Sequence, residues 1–356
     1  MKIIHTSDIH LASPLSTRLP SSKVSERVRE LTAALADMCA EATRIGACGM
    51  IIAGDLFDSE RVTKKQLDSA LAIFARSKDI TFFYLPGNHE RDLLLTSSEE
   101  LPKNLMIFGS EWTYFKKGTL TVAGRSETSR DMFDTLLLPT DGESIVVLHG
   151  ELRERSSEGG IIGIRDAAGR GIDYLALGHY HTYSAQEIDR RGVAVYSGAP
   201  EGRGFDELGE LGFSLIETDG SLVRHKFIPF AKRVLHSINV DISGASNTHE
   251  VEVRIDQKIA DISKEDLVRV NFIGSRELEL RCDTHLITER YKERFYHFEI
   301  KDKSKLLTRT EDYLYDKSLR GEFIRLCLAD ESISDEEKEK IIRCGLSALA
   351  GEAFDE

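Results

Sequence analysis

KIIHTSDIH (residues 2–10), GMIIAGDLFD (49–58) and ITFFYLPGNHE (80–90) decide the fold of this chain. Each begins as a short apolar, β-rich run and ends on residues with ligand chemistry. Between the first two, Val24, Val28, Leu31, Leu35, Met38, Ala42 and Ile45 recur at helical spacing, an amphipathic stripe suited to packing on a sheet. A second helix is expected over residues 63–76. The order strand, helix, strand, helix, strand builds a parallel sheet, because parallel neighbours need a crossover.

Downstream, TLTVAG (119–124), SIVVLHG (144–150), YLALGH (174–179), VAVYSG (193–198), LGFSLIE (211–217) and LVRHKFI (222–228) read as further strands. The later ones follow so closely that antiparallel pairing is expected among them. The expected fold class for residues 1–229 is therefore α/β, two stacked mixed β-sheets flanked by helices. Past Pro229, RVLHSINVDI, LVRVNFIG and HFEIKD read as three strands, with a helical stretch near residues 283–295 between the last two. Residues 230–305 form a small α+β cap domain on this reading. Residues 306–356 read as a helical tail. Leu314, Leu319, Phe323 and Leu326 make one apolar stripe, and Ile341, Ile342, Leu346 and Leu349 another. Ser334 ahead of Asp335, Glu336 and Glu337 is a good helix start, since its hydroxyl can cap free backbone donors and the carboxylates favour the dipole.

With 41% hydrophobic and 30% charged residues in 356, the composition is that of an ordinary globular protein. No apolar run approaches the roughly 20 residues of a membrane span, and MKIIHTSDIH has no signal-peptide pattern. Cys39, Cys48, Cys282, Cys327 and Cys344 are odd in number and lack CxxC spacing, so neither a disulfide framework nor a zinc knuckle is expected, and a cytoplasmic location is. The net charge of −13 argues against a nucleic-acid partner, though weakly. Residues 330–356 hold 3 Lys+Arg against 9 Asp+Glu, which is −6 of that total. Two bound divalent cations would offset more of it near the catalytic strands.

Five strand ends carry metal-ligand side chains: SDIH (Asp8, His10), AGDLFD (Asp55), PGNHE (Asn88, His89), LHG (His149) and GHYH (His179, His181). Singly each is weak. A lone histidine is usually a satisfied core or surface residue, the reading given to His5, His225, His236, His249, His285 and His297, and a GD or GN pair is usually a turn. Five in succession point to one site, because sites in open α/β sheets form beyond the carboxyl ends of the strands. The pairs Asp8/His10 and His179/His181, two apart, project to one side of an extended backbone. Two divalent ions about 3.5–4 Å apart need a shared anion, and Asp55 is the candidate. Gly54, Gly87, Gly150 and Gly178 would let the backbone turn tightly beside it.

In this order, DxH, GDxxD, GNHE, HG and GHxH resemble the motifs of the calcineurin-like metallophosphoesterase superfamily. HTSDIHL, GDLFD and YSGAPEGRGFDELGELGF (196–213) are similar to the SbcD branch, the nuclease subunit of the SbcCD DNA-repair complex, and HLASPL (10–15) resembles the YhaO-like exonucleases within it. The likeness covers residues 1 to about 230 and extends loosely to 305. It implies Asp8, His10, Asp55 and His181 on one metal, Asp55, Asn88, His149 and His179 on the other, and His89 as general acid. Glu90 replaces the Asp common in this branch and would orient His89 by hydrogen bonding. Asp58 stands where some members carry a substrate-positioning His, and Asp58 and Arg203 are the candidate substrate-binding residues. Imidazole, carboxylate and amide ligands without thiolate admit manganese, iron or zinc, and the resemblance implies two Mn²⁺ ions.

The implied activity is metal-dependent phosphodiester hydrolysis of DNA by in-line displacement, as an exonuclease that also nicks near ends. Implied partners are DNA duplex ends, an SbcC-type coiled-coil ATPase and a second copy of the chain, with no membrane. Arg269, Arg276, Arg281, Lys292 and Arg294 are candidates for phosphate contacts or for a solvated mixed-charge surface, while Tyr291, Phe295, Tyr296 and Phe298 read as core. The tail reads as ATPase-docking helices or as helices packed on their own domain. The alternative function is a stand-alone small-nucleotide phosphodiesterase or phosphoprotein phosphatase, which the acidic balance suits. A non-catalytic interaction protein should have lost ligands, and none of the set is missing.

Overall fold

The computed structural model describes residues 1–11, 13, 15, 17, 19–58, 62–87, 101–276, 280, 282–306 and 315–350. The chain divides into two compact units, Met1–Leu235 and His236–Glu356.

Strand β1 (Lys2–Thr6), helix α1 (Ser21–Ile45), β2 (Gly49–Ala53), α2 (Lys64–Arg76) and β3 (Thr81–Leu85) open the first unit. They are followed by β4 (Leu105–Ile107), β5 (Thr113–Lys117), β6 (Leu120–Gly124) and β7 (Glu143–His149). Short elements β8 (Glu151–Arg153), β9 (Ile161–Gly163) and α3 (Ile164–Ala167) precede β10 (Tyr174–Gly178). β11 (Ser184–Glu187), β12 (Val193–Tyr196), β13 (Gly212–Thr218) and β14 (Val223–Pro229) complete the unit.

Two six-stranded mixed sheets result, ordered β14-β13-β1-β2-β3-β4 and β11-β12-β10-β7-β6-β5. β1 to β4 run parallel, as the alternation of strand and helix requires. Antiparallel pairing holds for β13 and β14. It does not hold between β12 and β10, which are parallel. The antiparallel partner of β12 is edge strand β11, whose four residues are all exposed and so left no apolar signal in the sequence.

Strand alternation builds the layers. Ile3, Ile51, Phe83 and Leu85 of the first sheet meet Val122, Ile145, Val147, Tyr174 and Ala176 of the second in a core with no water-facing side. Ile4, Met50, Ile52, Phe82 and Tyr84 point the other way, onto Leu35, Met38 and Ala42 of α1 and Leu71 and Phe74 of α2. A third cluster, with Val146, Leu148, Leu175 and Leu177, covers the outer face of the second sheet. Each such side chain contributes about 1.5–3 kcal/mol on burial, so the stacked sheets form a rigid base for the loops at their strand ends.

The first turns of α1 depart from the apolar stripe. Val28 is exposed, and Arg27 and Glu30 are buried in its place. Arg27 binds Glu30 (2.9 Å), Glu201 (2.9 Å) and the Gly202 carbonyl (2.6 Å), and Arg233 binds Glu30 at 2.8 Å. These contacts carry the first unit past Pro229 to Leu235, since Phe230 and Ala231 also donate to the Leu211 carbonyl.

The second unit contains β15 (Leu235–Asp241), α4 (Thr248–Ile259), β16 (Leu267–Ile273), β17 (Ser275–Arg276), α5 (Thr284–Tyr291), β18 (His297–Asp302) and β19 (Lys305–Leu306). β15, β16 and β18 form one sheet, with β16 and β18 parallel. The sequence reading lacked α4, whose inward side consists of only Val251, Ile255 and Ile259 among polar residues. Tyr291, Phe295, Tyr296 and Phe298 are buried. Arg269, Arg276, Lys292 and Arg294 sit in ion pairs with Glu299, Asp302, Glu289 and Asp256. Arg281 lies outside the described residues.

The tail contains α6 (Leu319–Ala329) and α7 (Asp335–Ala350), held together by Ile324, Ile342 and Leu346 with Phe323 and Cys327. Ser334 and Glu337 bond each other's backbone N–H, a reciprocal cap. Leu319, Leu326, Ile341 and Leu349 face outward, and Leu314 lies outside the described residues. No described helix is long and apolar enough to cross a membrane.

Candidate metal centre

Beyond β1 and β2 the chain does not turn away but pairs loop to loop. Asp8 N–H bonds the Gly54 carbonyl (3.0 Å), His10 that of Asp55 (3.0 Å), and Leu11 that of Leu56 (2.7 Å). The second sheet does the same, with Gly150 N–H on the Gly178 carbonyl at 3.2 Å. Asp8, His10, Asp55, His149 and His179 are thereby carried to one edge of the stacked sheets.

Their backbone is strained. Among the described residues, the non-glycine positions with positive φ are Asp8 (51°), His10 (47°), Asp55 (51°) and His179 (110°). Such conformations cost of order 1–3 kcal/mol each and persist where surrounding structure imposes them, which is the usual setting of a functional site. Gly54 adopts φ 94°, and a β-carbon there would strike the His149 ring. Gly178 has no positive φ; its role is close approach, since a β-carbon would meet the Ala53 carbonyl.

Two overlapping clusters of ligand atoms result, each within 4.8 Å: Asp8, His10 and His181, and Asp8, Asp55 and His149. Asp8 belongs to both. Asp55 Oδ2 lies 3.4 Å from His149 Nε2 and 3.9 Å from His10 Nε2, between the two imidazoles. His179 is in neither cluster; its N–H donates to both Asp8 oxygens (3.2 and 3.1 Å), and its ring centroid stands 5.6 Å from that of His149. Asn88, His89 and Glu90 lie outside the described residues. His5, His225, His236 and His297 stand elsewhere, on Tyr174, Tyr183, Asp266 and Glu299.

The histidines are turned for coordination. His149 Nδ1 bonds the Ala53 carbonyl at 2.9 Å, which fixes the proton there and leaves buried Nε2 aimed at the carboxylates, 3.4 Å from Asp55 Oδ2. His181 Nδ1 bonds Glu207 Oε1 at 2.6 Å, with Nε2 3.7 Å from Asp8 Oδ1. His10 Nδ1 stands 3.1 Å from Asp58 Oδ1. An acceptor behind Nδ1 is what orients and strengthens a metal-binding imidazole.

Electrostatics describe a site short of positive charge. Burial lowers the His149 pKa, but the Asp55 hydrogen bond and the Asp55 and Asp8 charges outweigh it and lift it to about 9. The buried carboxylates hold a proton on a ring that would otherwise be neutral; a bound cation would supply that compensation instead. Burial and the Arg203 charge push His10 down to about 4. Burial raises the Glu207 carboxyl, yet His181 and Arg203 hold it near 2. The donor set thus fits divalent cations.

The calcineurin-like phosphoesterase profile matches residues 1–207. The chain belongs to that family. A calcineurin-like phosphoesterase carries a dinuclear metal site, and the two clusters are the candidate ligand groups here. Three curated relatives are each named "DNA double-strand break repair protein Mre11". The one from Sulfurisphaera tokodaii is 25% identical over 263 residues, 68% of this chain and 63% of that protein. The one from Saccharolobus solfataricus is 26% identical over 217 residues, 56% and 55%. The one from Methanosarcina acetivorans is 25% identical over 289 residues, 74% and 46%. The chain thus spans about half to three-fifths of the length of these relatives. Among solved structures, one described as a novel archaeal phosphodiesterase aligns at 10% identity over 64% of this chain and all of that one, with a TM-score of 0.35, too low to bear on substrate.

Glu207 is the site residue that sequence reasoning missed. Its signal was present but local, an acid four residues after Arg203 within GRGFDELG. Arg203 and Asp58 both lie at the site, and their side chains bond each other at 3.2 Å.

Proposed function

We propose that this phosphoesterase hydrolyses phosphodiester bonds in DNA, as the exonuclease subunit of an SbcCD-like end-processing complex. The observation that carries the reading is the sharing of Asp8 between two ligand clusters, with Asp55 between His10 and His149. The repair proteins to which the chain is similar support DNA as the substrate.

Asp8, His10 and His181 would hold one cation, and Asp8, Asp55 and His149 the other, with Asp55 also reaching toward the first and with His179 and Asn88 as further ligands. When bound, the pair would neutralise phosphoryl charge and supply a nucleophile at neutral pH; manganese suits the donors, as iron or zinc would. His149 and His181, oriented through Nδ1, keep the coordination geometry rigid. His89 donates the proton to the departing sugar oxygen, and Glu90 orients it. Residues 230–305 act as the cap that contacts DNA. The tail docks on a coiled-coil ATPase, a role supported by the outward Leu319, Leu326, Ile341 and Leu349. A cytoplasmic site of action, with all five cysteines free, belongs to the same reading.

The deciding assay offers the purified protein, with Mn²⁺, linear duplex, closed circular DNA, cyclic nucleotides and a phosphopeptide in parallel. Metal-dependent cleavage of the linear duplex is the expected result. Turnover of a cyclic nucleotide or the phosphopeptide alone would replace DNA with the substrate class that the net charge of −13 favours.

A further inference from the structure

Three of the imidazoles at the candidate cation positions, those of His10, His149 and His181, are supported in two different ways. His149 leans on the backbone of β2, through the Ala53 carbonyl. His181 leans on Glu207 through a hydrogen bond, and His10 Nδ1 has Asp58 Oδ1 beside it at 3.1 Å, a charge contact without hydrogen-bond alignment. Those two carboxylates come from distant parts of the chain, and Arg203 stands between them.

The donors of Arg203 are almost fully committed. Nε and Nη2 bond Glu207 Oε1 at 3.0 and 2.8 Å, and Nη1 reaches Ser13 Oγ and Asp58 Oδ1, both at 3.2 Å. Nη2 also passes 3.3 Å from His181 Nδ1. The Arg203 backbone N–H bonds Glu207 Oε2 at 2.6 Å, closing a tight turn. That turn is anchored from behind, because buried Arg27 grips Glu201 and the Gly202 carbonyl. A guanidinium whose donors are spent on two carboxylates and a hydroxyl, in a side chain only 16% exposed, is poorly placed to grasp a phosphate.

We infer that Arg203 is a positioning residue for one of the two cation positions: by tying Asp58 to Glu207 it fixes His10 and His181 together, while the Asp8, Asp55 and His149 position does not depend on it. The inference rests on the metal-centre reading above and adds an asymmetry to it. Planar, forked donors are needed to span two carboxylates at once, which a lysine cannot do.

The test is Mn²⁺ binding to the full chain, by calorimetric titration and by electron paramagnetic resonance at limiting Mn²⁺, with thermal melting alongside. Wild type is expected to take up two ions and to give the signal of a spin-coupled pair. Arg203→Gln should retain one ion at wild-type affinity and bind the other about 10–100-fold more weakly, so that the signal of an isolated ion replaces the coupled one. Arg203→Lys should fall between the two. Asp58→Asn, which cuts only the His10 arm, should weaken the same ion, and it decides the matter if Arg203→Gln does not fold.

Two ions at unchanged affinity in these variants would overturn the inference, as would equal weakening of both. A raised KM with both ions bound as in wild type would assign Arg203 to phosphate contact and overturn it too. If wild type takes up no ion, the metal-centre reading itself falls; if it takes up two and the variants show no asymmetry, only the role of Arg203 does.

Discussion

Asp55 Oδ2 lies 3.4 Å from His149 Nε2, joining the loop after β2 to the end of β7 across the two stacked sheets. The same oxygen is 3.9 Å from His10 Nε2, so one carboxylate reaches toward both cation positions. Asp55→Asn is expected to lower affinity for at least one ion by more than the ~10–100-fold typical of losing an outer partner, and to abolish hydrolysis with the fold intact. Metal analysis and circular dichroism check this. A variant that keeps two ions and full activity would remove Asp55 from the bridging role.

His89 is tested through the leaving group. A general acid contributes about 10²–10⁴-fold when the departing group is a poor one such as a sugar alkoxide, and much less for an activated aryl group. His89→Ala should therefore lose far more activity on DNA than on bis(p-nitrophenyl) phosphate, with metal content unchanged. Equal losses on the two substrates would point to positioning instead.

The ion network under the 201–207 turn predicts an acid-sensitive step in stability. Burial acts to raise the Glu30 pKa, but hydrogen bonds from Arg233, Lys232 and Arg27 outweigh it and hold it at about 2, against 4.5 when unfolded. A carboxylate depressed in this way adds stability that is complete above pH 4.5 and drains away as pH falls toward 2. Glu201, raised by burial despite Arg27, takes up its proton earlier in the same descent. Urea denaturation between pH 7 and 3 should show wild type losing stability more steeply than Glu30→Gln. At pH 7, Arg27→Ala should cost about 3–5 kcal/mol, because it strips a partner from two buried carboxylates. Parallel pH profiles for wild type and Glu30→Gln would contradict this account.

Truncation after Lys305 separates docking from self-packing of the tail. The short chain is expected to stay folded and to cleave short substrates with metal. It should fail to co-purify with a coiled-coil ATPase and gain no ATP-dependent activity on blocked duplex ends. Aggregation on truncation would favour helices that pack on their own unit, and full-affinity ATPase binding would end the docking proposal.

The layered α/β fold was legible in the sequence because its signals are local. Ile3 against Ile4, and Ile51 against Ile52, alternate with the pleat, so each strand declares its two buried faces. Asp8, His10, Asp55, His149 and His181, which the structure gathers into two clusters of ligand atoms, stood out in the sequence too, since each lies at or just beyond the end of such a strand. Elements with little apolar content escaped: α4 buries only three side chains, and β11 buries none.

What the tertiary structure alone decided is how charge is compensated. Nothing in residues 21–45 indicates that Arg27 and Glu30 are buried, because the partners that make their burial tolerable, Glu201 and Arg233, arrive some two hundred positions later. Nor does any motif show Asp8 shared by two clusters, or Glu207 and Asp58 braced by Arg203 behind His181 and His10. Periodicity records which face of an element avoids water. Pairing a buried charge depends on where distant segments meet, and only the folded chain fixes that.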